Sequence, residues 1–235
     1  MSALSGPADA VAGISGFPVL IIDDHELFST SLRMALRGHG LDAYQVSVTG
    51  VNDVLELASQ LASGLVVLDL DLGTDADGRW VNGVDLVGAL KRNGWKVLVV
   101  SGSIDKAAVA AAIAAGAIGT VPKSSSFEAL LETVVAAVSG ESVMAEVERH
   151  LWLAQHRKFQ ASERALARRL GRLSAREREV LELLAEGHRA GTIAEKFVVS
   201  MTTVRTQIRA ILTKLEVNSQ LEAVALLRHG PSPRP

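Results

Sequence analysis

No cysteine occurs in the 235 residues. That excludes a disulfide framework and any thiolate-ligated metal, and it suits a reducing cytosol. Positive charge is missing from the start of the chain: no Lys or Arg precedes Arg33. Met1 to Phe17 is rich in Ser, Gly and Ala. It lacks the basic start and continuous apolar core of a secretory signal, so residues 1–17 are expected to be a disordered lead-in. Long apolar runs are absent as well. The stretch Ala107 to Val121 is too short and too rich in Ala and Gly to span a bilayer, and no membrane partner is expected. No segment repeats, and only the Pro-rich end of the tail, residues 230–235, is unusual in composition.

Charge is near balance overall but unevenly spread. Residues 1–140 hold 8 Lys and Arg against 15 Asp and Glu, a net of −7. Residues 141–235 hold 16 against 11, a net of +5. An acidic half joined to a basic half suggests a metal-binding or signalling part and a nucleic-acid-binding part.

Four apolar runs in the acidic half each end in a polar group. Val19-Leu20-Ile21-Ile22 ends in Asp23-Asp24, Leu65-Val66-Val67-Leu68 in Asp69, and Val97-Leu98-Val99-Val100 in Ser101. The shorter Gly119-Thr120-Val121-Pro122 ends in Lys123. Short β-branched runs alternating with helical patterns read as buried parallel strands. Strands are expected near 18–23, 42–48, 65–69, 96–101 and 118–122, and helices near 26–37, 52–63, 83–93, 105–115 and 126–139. The alternation implies an α/β fold, a doubly wound parallel five-stranded sheet over residues 18–140. Ligands bind such sheets at the carboxyl edge, where the five polar groups would converge.

Those groups suit phosphoryl transfer to an aspartate. A carboxylate attacks a phosphate poorly unless charge repulsion is neutralised. Mg²⁺ does that and prefers a few carboxylates plus water and substrate oxygens. Asp23, Asp24 and Asp69 are the candidate metal ligands, with Asp69 also the acceptor. Lys123 is placed to pair with an acyl phosphate and Ser101 to donate to a phosphoryl oxygen. Asp71 competes as acceptor, but the aliphatic run favours Asp69.

Asp23-Asp24-His25, Leu68-Asp69, Ser101 and Pro122-Lys123 together resemble a response-regulator receiver domain. The resemblance implies the flavodoxin-like order of strands, Mg²⁺ as cofactor, and a sensor histidine kinase as phosphate donor. Three departures stand out. No proline closely follows Asp69. The loop to Gly83 is longer than usual and adds Asp75, Asp77, Arg79 and Trp80. Thr120 stands where the family has Tyr or Phe, the ring that repacks on activation. Asp69-Leu70-Asp71 also resembles the nucleophile motif of haloacid-dehalogenase-type phosphatases, although Gly73 and the Asp23-Asp24 pair do not fit it.

Residues 141–171 favour helix and form a linker. Trp152, Phe159, Leu166 and Leu173 fall seven apart there. That row is either a dimer seam or one helix packing on its own domains. Residues 172–229 read as a small all-α domain. Ser174 and Glu177 form a capping box opening its first helix, and further helices follow at 192–197, 200–215 and 219–228. The run from Leu173 to Val224, with Glu186-Gly187, Ile193-Ala194-Glu195, Val199-Ser200 and Thr203-Val204-Arg205, resembles a LuxR-type helix-turn-helix. Its recognition helix would present Thr202, Arg205, Thr206 and Arg209 to double-stranded DNA, with Val204, Ile208, Ile211 and Leu212 inward. Arg reads guanine edges bidentately. Thr203, Lys214 and Ser200 better suit phosphates.

The last helix, with Leu221, Val224, Ala225 and Leu227, would serve a homodimer. The combined resemblance implies a cytoplasmic, non-enzymatic transcription factor of the LuxR/NarL response-regulator type, switched by phosphorylation of Asp69. A regulator of the same build that acts without phosphorylation is the alternative.

Overall fold

The computed structural model describes residues 16–46, 51–74, 78–102 and 105–228. The expected lead-in up to residue 15, the end of the second strand at 47–48, Asp75, Asp77 and the tail from residue 229 lie outside these. The chain divides into two compact units, residues 1–156 and 157–235.

The first unit holds strands β1 (Pro18–Ile22), β2 (Asp42–Val46), β3 (Leu65–Leu68), β4 (Asp71–Thr74), β5 (Trp80–Asn82), β6 (Lys96–Ser101) and β7 (Gly119–Pro122). Five of them form one parallel sheet in the order β2-β1-β3-β6-β7. Its helices are α1 (Glu26–Gly38), α2 (Val51–Gln60), α3 (Gly83–Arg92), α4 (Lys106–Ala115) and α5 (Phe127–Val138). Side chains alternate along each strand between two cores. Leu20, Ile22, Val66, Leu68, Val97 and Val99 meet α2, α3 and α4. Val19, Ile21, Leu65, Val67, Leu98 and Val100 meet α1 and α5. Because both faces are covered, the strands read as unbroken apolar runs. Burying the four side chains of β3 stabilises by roughly 6–12 kcal/mol. That exceeds the several kcal/mol, by order of magnitude, needed to desolvate the carboxylate at its end.

Asn82, Asp105 and Ser126 cap α3, α4 and α5 by accepting backbone N–H groups. The segment after Asp69, expected as a plain loop, is a hairpin. β4 pairs antiparallel with β5, Asp71 opposite Asn82 and Thr74 opposite Trp80. Leu72 and Val81 anchor it in the α2–α4 core, while Trp80 is 67% exposed. The hairpin returns through Gly83, where a Cβ would stand 2.3 Å from the Asp69 carbonyl oxygen and 2.8 Å from Leu70 Cα. Only glycine lets the chain pass so close to the acceptor strand.

Helix α6 (Glu146–Gly171) starts five residues inside the expected linker. In the first unit Arg149 donates to the carbonyls of Ala117 at 3.0 Å and Ile118 at 2.6 Å. Trp152 and Leu153 pack against the α2–α4 core.

The second unit contains the rest of α6 with α7 (Ala175–Ala185), α8 (Ala190–Phe197), α9 (Met201–Leu215) and α10 (Gln220–Arg228). Its core joins Leu170, Leu173, Val180, Leu181, Ile193, Val204, Ile208, Ile211 and Leu215, with Leu166 packed against it. Of the four residues spaced seven apart, Trp152 packs in the first unit and Leu166 and Leu173 in the second. Ser174 and Glu177 form the expected capping box. Of the apolar face expected on α10, Leu221, at 80% exposure, and Ala225 are exposed. Val224 and Leu227 pack against the core, which narrows the apolar face expected there.

Candidate functional site

Parallel register brings the strand ends together. Ile22 pairs with Leu68, and Leu68 with Val99. The Asp69 N–H then donates to the Ile22 carbonyl at 2.9 Å, one residue beyond the ladder. Asp23 and Asp69 therefore stand side by side at the carboxyl edge. On the other side Ser101 pairs with Pro122, and the Lys123 N–H donates to the Ser101 carbonyl at 3.0 Å. Ser101 is itself buried at this edge.

The side chains of Asp23 and Asp69 are each 2% exposed, and the Lys123 ammonium lies 2.6 Å from Asp23 Oδ2 and 2.7 Å from Asp69 Oδ2. It is held under the ring of Phe28, 5.2 Å from the centroid. Burial raises the Asp69 pKa, and the Lys123 hydrogen bond only partly counters it. Burial works against the Lys123 ammonium, but the Asp23 and Asp69 carboxylates outweigh it and raise its pKa. His25 Nδ1 sits 2.6 Å from Asp24 Oδ1, 3.2 Å from Asp23 Oδ1 and 3.3 Å from Lys123 Nζ. A ring nitrogen can donate to one carboxylate or accept from the lysine, not both. The Asp71 N–H donates to Asp69 Oδ1 at 3.2 Å, while the Asp71 side chain is exposed on the hairpin.

Ligand atoms of Asp23, Asp24, His25 and Asp69 all lie within 4.8 Å of one another. Three of the four are carboxylates, the hard oxygen donors that Mg²⁺ takes. Asp23 Oδ2 fits this use: it is buried and lies 2.6 Å from Lys123 Nζ, yet the contact has ion-pair distance without hydrogen-bond geometry. The structure brings together Asp23, Asp24, Asp69 and Lys123 as the sequence suggested. His25 stood in the Asp23-Asp24-His25 motif without a role, and Phe28 was not foreseen; the one signal for Phe28 was its position in the first turn of α1.

The second candidate site is α9. Ser200 caps it, accepting the Thr203 N–H at 3.1 Å, and its hydroxyl is 2.8 Å from the Thr203 hydroxyl. Val204, Ile208 and Ile211 are buried, while Thr202, Thr203, Arg205, Thr206 and Arg209 are exposed. Leu212, expected inward, is half-buried. Lys214, expected to meet a phosphate, has a partner within the chain. Its ammonium binds both Glu177 oxygens, at 2.8 and 2.6 Å, so it holds the capping box of α7, while its side chain stays 37% exposed with a third N–H donor left for a phosphate.

Two family comparisons cover these sites. Residues 19–135 match the response regulator receiver domain, and residues 172–227 match the bacterial regulatory proteins of the luxR family. The nitrate/nitrite response regulator NarP of Escherichia coli strain K12 is 32% identical over 215 residues, 89% of this chain and 94% of that protein. NarL of the same strain is 28% identical over 211 residues, 87% of this chain and 92% of that protein. The response regulator RcsB, solved with DNA, aligns over 91% of this chain and 98% of its own at 22% identity and a TM-score of 0.49. The chain belongs to the response regulators of the NarL/NarP kind, transcription regulators that couple a receiver domain to a LuxR-type DNA-binding domain. Among the described residues no helix is long and apolar enough to cross a membrane.

Proposed function

We propose that phosphorylation of Asp69 by a sensor histidine kinase drives this regulator to bind promoter DNA as a dimer in the cytoplasm, and that it has no turnover as an enzyme. The observation that carries the reading is the buried Asp69 carboxylate held between Asp23 and Lys123 at one sheet edge. Residues 18–140 form the receiver, 141–171 the linker and 172–229 the DNA-binding domain.

In the transfer, an Asp69 carboxylate oxygen forms a bond to phosphorus while the bond from phosphorus to the kinase histidine nitrogen breaks. Lys123 is already within ion-pair distance of Asp69 Oδ2 and offers its ammonium to the phosphoryl oxygens, with Ser101 donating from the neighbouring strand end. Asp23, Asp24 and Asp69 would hold Mg²⁺, which supplies positive charge against the repulsion between carboxylate and phosphoryl group. The phosphorylated form must favour one conformer over another, because only differential stability shifts a population. In the DNA complex Arg205 and Arg209 read base edges from α9, with Thr202 and Thr206 beside them and Thr203 near the backbone.

The test is affinity for a cognate duplex with and without a small phosphodonor and Mg²⁺. Wild type gains affinity; Asp69→Ala gains none. An Asp69→Ala protein that gained as much would refute the switch. The hairpin β4–β5 beside the acceptor and the half-buried Thr120 favour a second reading, regulation without phosphorylation. Unchanged promoter control by Asp69→Asn in cells would establish it. The phosphatase reading needs Asp71 as an acid in the site, whereas that side chain is exposed on the hairpin.

A further inference from the structure

We propose that Met201 reads a thymine methyl group in the major groove, so that a thymine beside the guanine contacted by Arg205 is a specificity determinant of this chain's operator. The proposal rests on α9 being the recognition helix.

Met201 is the first residue of α9, directly after the Ser200 cap, and is 45% exposed. Val198, three residues earlier, is 91% exposed. It also adopts φ 55°, the left-handed region that suits a β-branched residue least. Besides Leu221 on α10, these are the large apolar side chains exposed among the described residues of the second unit. Neither belongs to the core of the second unit. Residues at the N-terminal end of a recognition helix are the ones that meet base edges. Thymine alone offers a methyl group there.

Position narrows the contact further. Met201 and Arg205 are four residues apart, and such pairs lie on one helix face about 5–6 Å apart. Base pairs rise about 3.4 Å each. The thioether and the guanidinium therefore reach base pairs one or two steps apart. Arg takes guanine, through its two acceptors; a flexible, polarisable Met takes the adjoining methyl.

The experiment uses the full chain with Mg²⁺ and acetyl phosphate. Preferred duplexes are selected from a random pool, and each thymine is then replaced singly by deoxyuridine, which removes only the methyl. Wild type is expected to lose about fourfold in affinity at one thymine per half-site, the value of one buried methyl. Met201→Ala is expected to bind thymine and uracil forms equally while keeping the neighbouring guanine preference. Met201→Leu retains the discrimination. Uridine tolerated at every position by wild type overturns the proposal, as does an unchanged thymine/uracil ratio in Met201→Ala. A pool that yields no preferred sequence refutes the DNA-binding reading itself, and this proposal with it.

Discussion

Removing the Glu177 carboxylate should unfasten the helix-turn-helix unit while leaving the receiver intact. Glu177 accepts from Lys214 at 2.8 and 2.6 Å and from the Ser174 N–H at 2.7 Å. Lys214 and its other bonds hold the Glu177 pKa down. Its side chain is 10% exposed and that of Lys214 is 37% exposed. The carboxylate is covered by its own partners but lies close to the surface, so screening is substantial. The capping half of the arrangement contributes about 1 kcal/mol. A screened, charge-assisted pair adds about another 1 kcal/mol. Glu177→Ala is therefore expected to cost about 2 kcal/mol. The Glu177–Lys214 coupling in a double-mutant cycle should be about 1 kcal/mol.

All three tryptophans, Trp80, Trp95 and Trp152, lie in the first unit. In urea unfolding, fluorescence follows that unit, and the remaining loss of helical circular dichroism follows the second. The first transition should not move; the second should. Because the folded pKa is lowered, the contribution is present above the unfolded carboxylate pKa and is lost as pH falls through the folded value. A coupling below about 0.3 kcal/mol, within additivity error, or one unchanged on acidification would refute the reasoning.

Gly83→Ala places a Cβ 2.3 Å from the Asp69 carbonyl oxygen. Backbone must shift, at roughly 1–3 kcal/mol, and both the fluorescence midpoint and the rate of Asp69 phosphorylation should fall. Asp69→Asn should raise the thermal midpoint of the first unit at pH 7. Burial raises the Asp69 pKa, so the ionised group opposes folding. That penalty is absent below the unfolded pKa and grows as pH rises through the folded value, so the advantage of Asn should shrink on acidification. Val198→Gly should stabilise the second unit by up to about 1 kcal/mol and so raise its midpoint, because glycine adopts φ 55° without steric penalty. No gain by circular dichroism would show that the turn is not strained.

The acidic site was legible because its residues end buried strands. An unbroken apolar run fixes both the strand and the sheet edge at which it stops, and Asp23, Asp69 and Lys123 follow such runs directly. The hairpin β4–β5 was not legible. Among its described residues only Leu72 and Val81 are buried, and two inward residues on short strands leave no readable alternation. The ion pair of Lys214 was not legible for a different reason. A lysine near the end of a recognition helix shows in sequence only as a phosphate ligand, because its partner lies 37 residues earlier in the chain. The row of four residues spaced seven apart has two meanings in sequence, because spacing alone does not say that Trp152 meets one core and Leu166 and Leu173 another.

The most direct measurement is intact mass after incubation with Mg²⁺ and acetyl phosphate, wild type beside Asp69→Ala. A gain of about 80 Da in wild type alone is the expected result. No adduct on wild type, or an equal adduct on Asp69→Ala, would contradict Asp69 as the acceptor.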